Sequence, residues 1–138
     1  MKFPEEYIER EEKILHSGQV SNIFYNVNRL FTNDLYFRTV LLRIPSSDHY
    51  IGIATGGALI AMACHAKYFY SKFSMVRDGK LIGEMPTGQW ILIDDVTTTG
   101  RSLLEAMATV GSQPHKIIVA VDRRPENKNP EVISLFQI

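Results

Sequence analysis

Residues Trp90–Ala106 read WILIDDVTTTGRSLLEA. Trp90 through Ile93 are apolar and favour extended backbone. Two acids follow, Asp94 and Asp95, then Val96, three threonines and Gly100, and an amphipathic run opens at Arg101. The order predicts a buried strand, a polar loop and a helix start. In an open α/β sheet, ligands bind just beyond the carboxyl ends of strands. A helix start also presents N–H groups that suit an anion. A phosphate is therefore expected over Thr98 to Ser102, with Asp94 and Asp95 accepting hydrogen bonds from sugar hydroxyls beside it. An ordinary threonine-capped turn requires neither the acid pair nor the small-residue loop. No GxxxxGK[ST] and no GxGxxG occurs, so neither a Walker-type nor a dinucleotide site is supported.

Outside this stretch the composition narrows the class. The chain has 138 residues, 45% hydrophobic, a size that suits one domain over residues 1–138 around one core. Lys+Arg and Asp+Glu both number 15, so the net charge is zero and offers no general pull toward nucleic acid or an anionic membrane. The lone cysteine, Cys64, sits in an apolar run and reads as a buried, inert thiol in a reducing compartment. The acidic start, MKFPEEYIEREEK, does not read as a signal peptide. No apolar run approaches the roughly 18 residues of a membrane span. A cytoplasmic protein is the expectation.

In chain order, residues 4–15 read as a helix, with Pro4 near its first position and acids in the first turn. Ile23, Tyr25 and Val27 alternate as in a short strand. Asn33 is placed to cap a helix over residues 34–44, which Pro45 ends. Tyr50 to Ala54 reads as a strand that stops at Thr55-Gly56-Gly57, before a helix over residues 58–69. Glycines there let backbone amides approach an anion. Residues 72–76 and 80–85 read as extended, joined by a turn at Arg77-Asp78-Gly79. The helix from Arg101 should end at Val110 before Gly111. Residues 116–122 and 132–136 read as strands. Strands alternating with helices predict a doubly wound, mostly parallel α/β sheet in a single compact domain.

Ile91 to Leu103, thirteen positions, resembles the ribose-phosphate signature of the type I phosphoribosyltransferases. Within that group, the order of segments is most similar to the orotate phosphoribosyltransferase family. An SG-x-x-S segment followed by aromatics appears as Ser17-Gly18-Gln19-Val20-Ser21 and Phe24-Tyr25-Asn26. The pyrophosphate loop resembles Ile53 to Gly57, and a strand ending in Asp-Arg resembles Asp122-Arg123. The similarity runs from about His16 to Phe136.

The resemblance implies transfer of a phosphoribosyl group from phosphoribosyl pyrophosphate (PRPP) to orotate, in pyrimidine nucleotide synthesis, with Mg²⁺ carried on the donor. It implies that Asp94 and Asp95 hold the ribose and favour positive charge on the sugar as the bond to pyrophosphate breaks. Val96, Thr97, Thr98, Thr99, Gly100, Arg101 and Ser102 would grip the 5′-phosphate. Thr55, Gly56, Arg77 and His16 would complete the PRPP site. Phe24, Tyr25 and Thr98 would border the base, with Arg123 pairing the orotate carboxylate. No residue is expected to bind the metal directly. A homodimer is implied as well, because the family's mobile basic loop closes over the neighbouring subunit's site.

The chain departs from that pattern in three places. His16 stands where a lysine is usual, and Gly56 where a basic residue is usual. The mobile loop is shortened to Met75-Val76-Arg77-Asp78-Gly79-Lys80, with Asp78 in place of a lysine and no histidine after it. The shortened loop predicts slow turnover. Two other readings stay open at this point: a phosphoribosyltransferase for another base, and a PRPP- or nucleotide-binding regulator without turnover.

Overall fold

The computed structural model describes residues 1–10, 13–14, 18, 20–125 and 129–138. The predicted N-terminal helix does not form. Glu5–Tyr7 makes a single 3₁₀ turn, and the chain then extends as β1 (Ile8–Glu9) and β2 (Lys13–Ile14). After β3 (Val20–Ser21) comes β4 (Phe24–Tyr25). β1 pairs antiparallel with β4, Ile8 opposite Tyr25, and β2 pairs antiparallel with β3. The proline and acids favour only a first turn, and a short isolated helix is marginal without packing. Pairing with the aromatic strand satisfies the backbone and lays Tyr7 and Ile8 against the core.

The alternation seen from Ile23 to Val27 also ends early. Asn26 accepts a hydrogen bond from the Arg29 N–H at 3.0 Å and caps a short helix, α1 (Val27–Leu30). Asn33 caps α2 (Asp34–Arg43) as expected, accepting from the Leu35 N–H at 3.1 Å. Ile44 is already extended before Pro45.

The remainder is a strand–helix alternation: β5 (His49–Ile53), α3 (Gly56–Lys67), β6 (Lys72–Arg77), β7 (Lys80–Ile82), β8 (Trp90–Thr97), α4 (Arg101–Val110), β9 (Lys116–Asp122) and β10 (Ile133–Phe136). Six strands form one sheet in the order β10-β9-β8-β5-β6-β7. All neighbours are parallel except β6 and β7. β8 is buried from Trp90 to Asp94, which explains its unbroken apolar run.

Successive β8 residues serve opposite faces. Ile91 and Ile93 join Tyr50, Ile60 and Cys64 in one core, while Trp90 and Leu92 join Leu103, Ala106 and Val119 in the other. Helix α3 thus covers one face and α4 the other, giving the doubly wound α/β fold. Burial pushes the Cys64 thiol up to about 12, in keeping with an inert core group. Among the described residues no helix is long and apolar enough to cross a membrane.

The chain runs from β5 through β6 and β7, then returns across the sheet to β8 on the other side of β5. The connections leaving β5 and β8 therefore part to opposite faces. That reversal opens a crevice at their carboxyl ends.

Candidate active site

A cavity of about 440 Å³ fills the crevice. Its walls are residues 53–56 after β5, residues 94–102 at the end of β8, the aromatic pair Phe24 and Tyr25, and Arg123 beyond β9. Among the described residues, every predicted site residue except Arg77 lies on this one lining.

The acid pair belongs to the strand rather than to the loop after it. β8 continues through Thr97, with Asp94 aligned to Val119 and Thr97 to Asp122 on β9. Parallel pairing with a buried neighbour holds the last residues extended, which the polar sequence did not foretell. Asp94 is only 6% exposed, and its Oδ1 accepts the Asp95 N–H at 2.8 Å. Asp95 Oδ1 accepts the Val96 N–H at 2.7 Å. Burial first, and the neighbouring Asp95 second, hold the Asp94 proton well above the usual carboxylate range.

Three glycines let the acid pair and α3 meet. A Cβ on Gly56 would stand 2.3 Å from Asp95 Oδ2, one on Gly57 2.3 Å from the Ile93 carbonyl oxygen, and one on Gly52 2.3 Å from the Gly57 carbonyl oxygen. The first turn of α3 is thus pressed onto the ends of β5 and β8. A side chain at position 56 would have to displace Asp95.

The loop after β8 ends at Gly100, whose φ of 83° lies in the left-handed region. No side chain caps α4 from the residue before it. Thr99 Oγ1 instead accepts the Arg101 N–H at 3.2 Å. The helix start and residues 97–99 border the cavity, a setting that favours an anion. Arg101 turns along the helix to Glu105 at 2.9 Å, with both side chains largely exposed.

On the same lining, the Arg123 guanidinium stands 5.4 Å from the centre of the Tyr25 ring and donates through Nη1 to the Ile23 carbonyl at 3.0 Å. Its backbone N–H donates to the Thr97 carbonyl at 2.9 Å. Tyr25 is edge-packed on Phe3 at 5.2 Å, so the platform under Arg123 is anchored in the core.

No protein-family profile matches the chain. Comparison with curated proteins finds orotate phosphoribosyltransferase of Methanothermobacter thermautotrophicus, 31% identical over 132 residues that cover 84% of this chain and 73% of that protein. The chain belongs to the orotate phosphoribosyltransferase family.

It is accordingly an enzyme of the glycosyltransferase class. Orotate phosphoribosyltransferase of Aeropyrum pernix is 27% identical over 83% of this chain and 71% of its own. Its crystal structure superposes with a TM-score of 0.69 over 85% of this chain and 76% of that one. Adenine phosphoribosyltransferase of Saccharomyces cerevisiae, 13% identical, shares the fold with a TM-score of 0.66 over 94% of each chain.

Of the residues that the family resemblance places with PRPP, one described residue, Arg77, is not on the main cavity. His16 lies outside the described residues. Arg77 borders a second hollow of about 560 Å³, which shares residues 53–55, Arg101 and Ser102 with the first. The stretch that the resemblance matches to a mobile basic loop is a tight hairpin turn. Asp78 (φ 50°) and Gly79 (φ 73°) join β6 to β7, with Arg77 opposite Lys80. Left-handed values at both central residues characterise the two-residue turn that matches strand twist.

The lining also includes Ile53 and Ala54, the start of the stretch that resembles the pyrophosphate loop, and Ile14 and Asn28, which sequence reasoning did not place there. Ile14 falls within the predicted N-terminal helix, but it is 78% exposed and borders the cavity from β2. Asn28 arrives because α1 begins directly after the aromatic pair. Its only sequence signal was the cap-forming Asn26 two residues earlier.

Proposed function

We propose that this chain transfers the phosphoribosyl group of PRPP to orotate. The bond from C1 of the ribose to pyrophosphate breaks, a bond from C1 to a ring nitrogen of orotate forms, and orotidine 5′-monophosphate and pyrophosphate result. The observation that carries this reading is one cavity lined together by an acid pair, an anion-suited helix start and an arginine over an aromatic ring. Family membership supports the same reaction.

On this reading Asp94 and Asp95 accept from the ribose hydroxyls and stabilise the cationic sugar of the transition state. Residues 97–102 hold the 5′-phosphate. Thr55 and Gly56 face the pyrophosphate, with Arg77 reaching it from the second hollow. Phe24, Tyr25 and Thr98 border the base. Arg123, already oriented by Tyr25 and Ile23, pairs with the carboxylate. Catalysis is then mostly positioning and electrostatics.

Among the described residues no group of three His, Cys, Asp or Glu side chains is placed to hold a metal. A Mg²⁺ would be held mainly by the donor's own oxygens, beside the ribose that Asp94 and Asp95 hold, and would offset the charge of the leaving pyrophosphate. The working form is a cytoplasmic homodimer. The shortened β6–β7 turn favours slow turnover, since it brings few cations to the leaving group.

Steady-state assays with PRPP and orotate, uracil or purines test the acceptor. Orotate should be preferred by roughly ten- to hundred-fold, the worth of a charge-assisted contact of about 1.5–3 kcal/mol. Arg123→Ala should abolish that preference while leaving PRPP binding nearly unchanged. Calorimetry on Asp94→Asn/Asp95→Asn tests the donor site; PRPP binding equal to wild type would refute it.

A further inference from the structure

The segment leaving β9 carries two adjacent arginines whose side chains part. Arg123 turns to Tyr25. Arg124 turns beneath the phosphate loop, where its side chain is 3% exposed. Its Nε donates to Asp122 Oδ1 at 2.9 Å and its Nη2 to Asp122 Oδ2 at 3.2 Å. Its Nη1 donates to the Pro130 carbonyl at 2.7 Å. Nη1 also lies 3.2 Å from the point a Cβ on Gly100 would occupy, and Cδ lies 3.5 Å from it. The guanidinium therefore packs against the left-handed residue that opens α4.

Asp122 ties this fork to the strand carrying the acid pair. It is in register with Thr97, and the Thr97 carbonyl accepts the Arg123 N–H at 2.9 Å. Thr98 and Thr99 are thus suspended between two points, Thr97 and Gly100, both held by residues 122–124. A buried ion pair is no more stabilising, in general, than apolar residues of similar volume. What the fork adds is direction, because three planar contacts fix where the guanidinium lies.

We propose that Arg124 is a positioning residue for phosphate recognition. Through Gly100 it sets the path of the Thr98–Gly100 loop, so that the loop's donors converge on one anion. The inference rests on reading that loop as the seat of the 5′-phosphate. It separates the neighbouring arginines: Arg123 acts on the base, Arg124 on the phosphate.

The test is calorimetry with ribose 5-phosphate on three proteins: wild type, Arg124→Lys, and the double variant Asp122→Asn/Arg124→Met. Melting curves on the same samples keep every titration below the transition. Arg124→Lys keeps the charge but loses the fork. The double variant removes both charges, so neither is left buried and unpaired. Affinity should fall roughly ten- to hundred-fold in both variants, the range seen when supporting residues are removed around metal sites. In the double variant it should stay low even where the melting temperature returns to that of wild type. A double variant that binds ribose 5-phosphate as wild type does overturns the inference, as does affinity that simply follows stability across the set. Wild type that fails to bind ribose 5-phosphate overturns the phosphate seat itself, and this inference with it.

Discussion

The loop from β8 to α4 and the turn from β6 to β7 flank neighbouring hollows, and each contains a left-handed glycine. Around Gly100 the space is filled: Arg124 and the Asn129 carbonyl would meet an added Cβ at 3.2 and 3.5 Å. Around Gly79 nothing lies within 4 Å. The nearby arginines differ in the same way. Arg124 is buried and forked onto Asp122, whereas the Arg77 side chain is 68% exposed, with Asp78 at 3.8 Å. The same backbone conformation thus serves a braced seat in one place and a bare hairpin in the other. A braced loop holds an anion in a set geometry, while a two-residue turn has no spare length to fold over a ligand.

The widest gap between the two regions should appear in stability. Arg124→Met leaves Asp122 buried without its partner and should destabilise by about 3–5 kcal/mol. Arg77→Met removes only an exposed contact and should change stability by about 0–1 kcal/mol. Urea unfolding of the two variants reads the difference directly. Equal midpoints would erase the distinction drawn here.

Next in size is the rate effect of the short turn. Replacing Arg77-Asp78-Gly79 with a longer basic loop should raise the single-turnover rate by roughly 10²–10³, or about 2.7–4 kcal/mol, if one cationic contact to the leaving group is restored. Ground-state binding of PRPP should move much less. A graft without effect, on a wild type already turning over at about 10 s⁻¹, would show that the charge comes from elsewhere.

The glycines give a smaller contrast. An alanine at either position meets left-handed strain of about 1–2 kcal/mol. Gly79→Ala should show that strain and nothing more, with ribose 5-phosphate affinity intact. Gly100→Ala should show the strain plus a loss of affinity, because Arg124 must move. Melting and titration on both variants check whether crowding separates the two sites.

The last prediction concerns pH and needs no loop change. Asp94 has a folded titration raised by burial and by Asp95. A raised acid favours the folded state below its unfolded value, about 3.9, and that contribution is lost as the pH rises through the folded value. At neutral pH, Asp94→Asn should therefore raise the melting temperature of the ligand-free protein while abolishing ribose binding. Near pH 3 the stability gain should vanish. A gain that persists there would assign it to something other than the charge.

The signature from Trp90 to Val110 was legible because its determinants are local. An apolar run, a glycine able to adopt left-handed backbone and an amphipathic repeat lie within a few residues of one another. The helix Arg101–Val110 and the strand Lys116–Asp122 fall where their own residues place them. The cap at Asn33 is local in the same sense. The N-terminal arm is the reverse case. Its proline and acids favour a helical turn, but Ile8 and Glu9 take their conformation from Tyr25 and Phe24, which are remote in sequence.

The alternating α/β architecture, the acid pair with its small-residue loop, and the shortness of the β6–β7 connection are all readable along the chain, since each is a matter of residue type and spacing within one segment. Folding alone buries Asp94 and raises its titration, brings Ile14 and Asn28 to the cavity, and turns Arg77 to a neighbouring hollow. It alone turned Arg123 to the ring and Arg124 to the loop. Those outcomes depend on desolvation, and on contacts made by strands and side chains far apart in the chain, which no pattern within one segment contains.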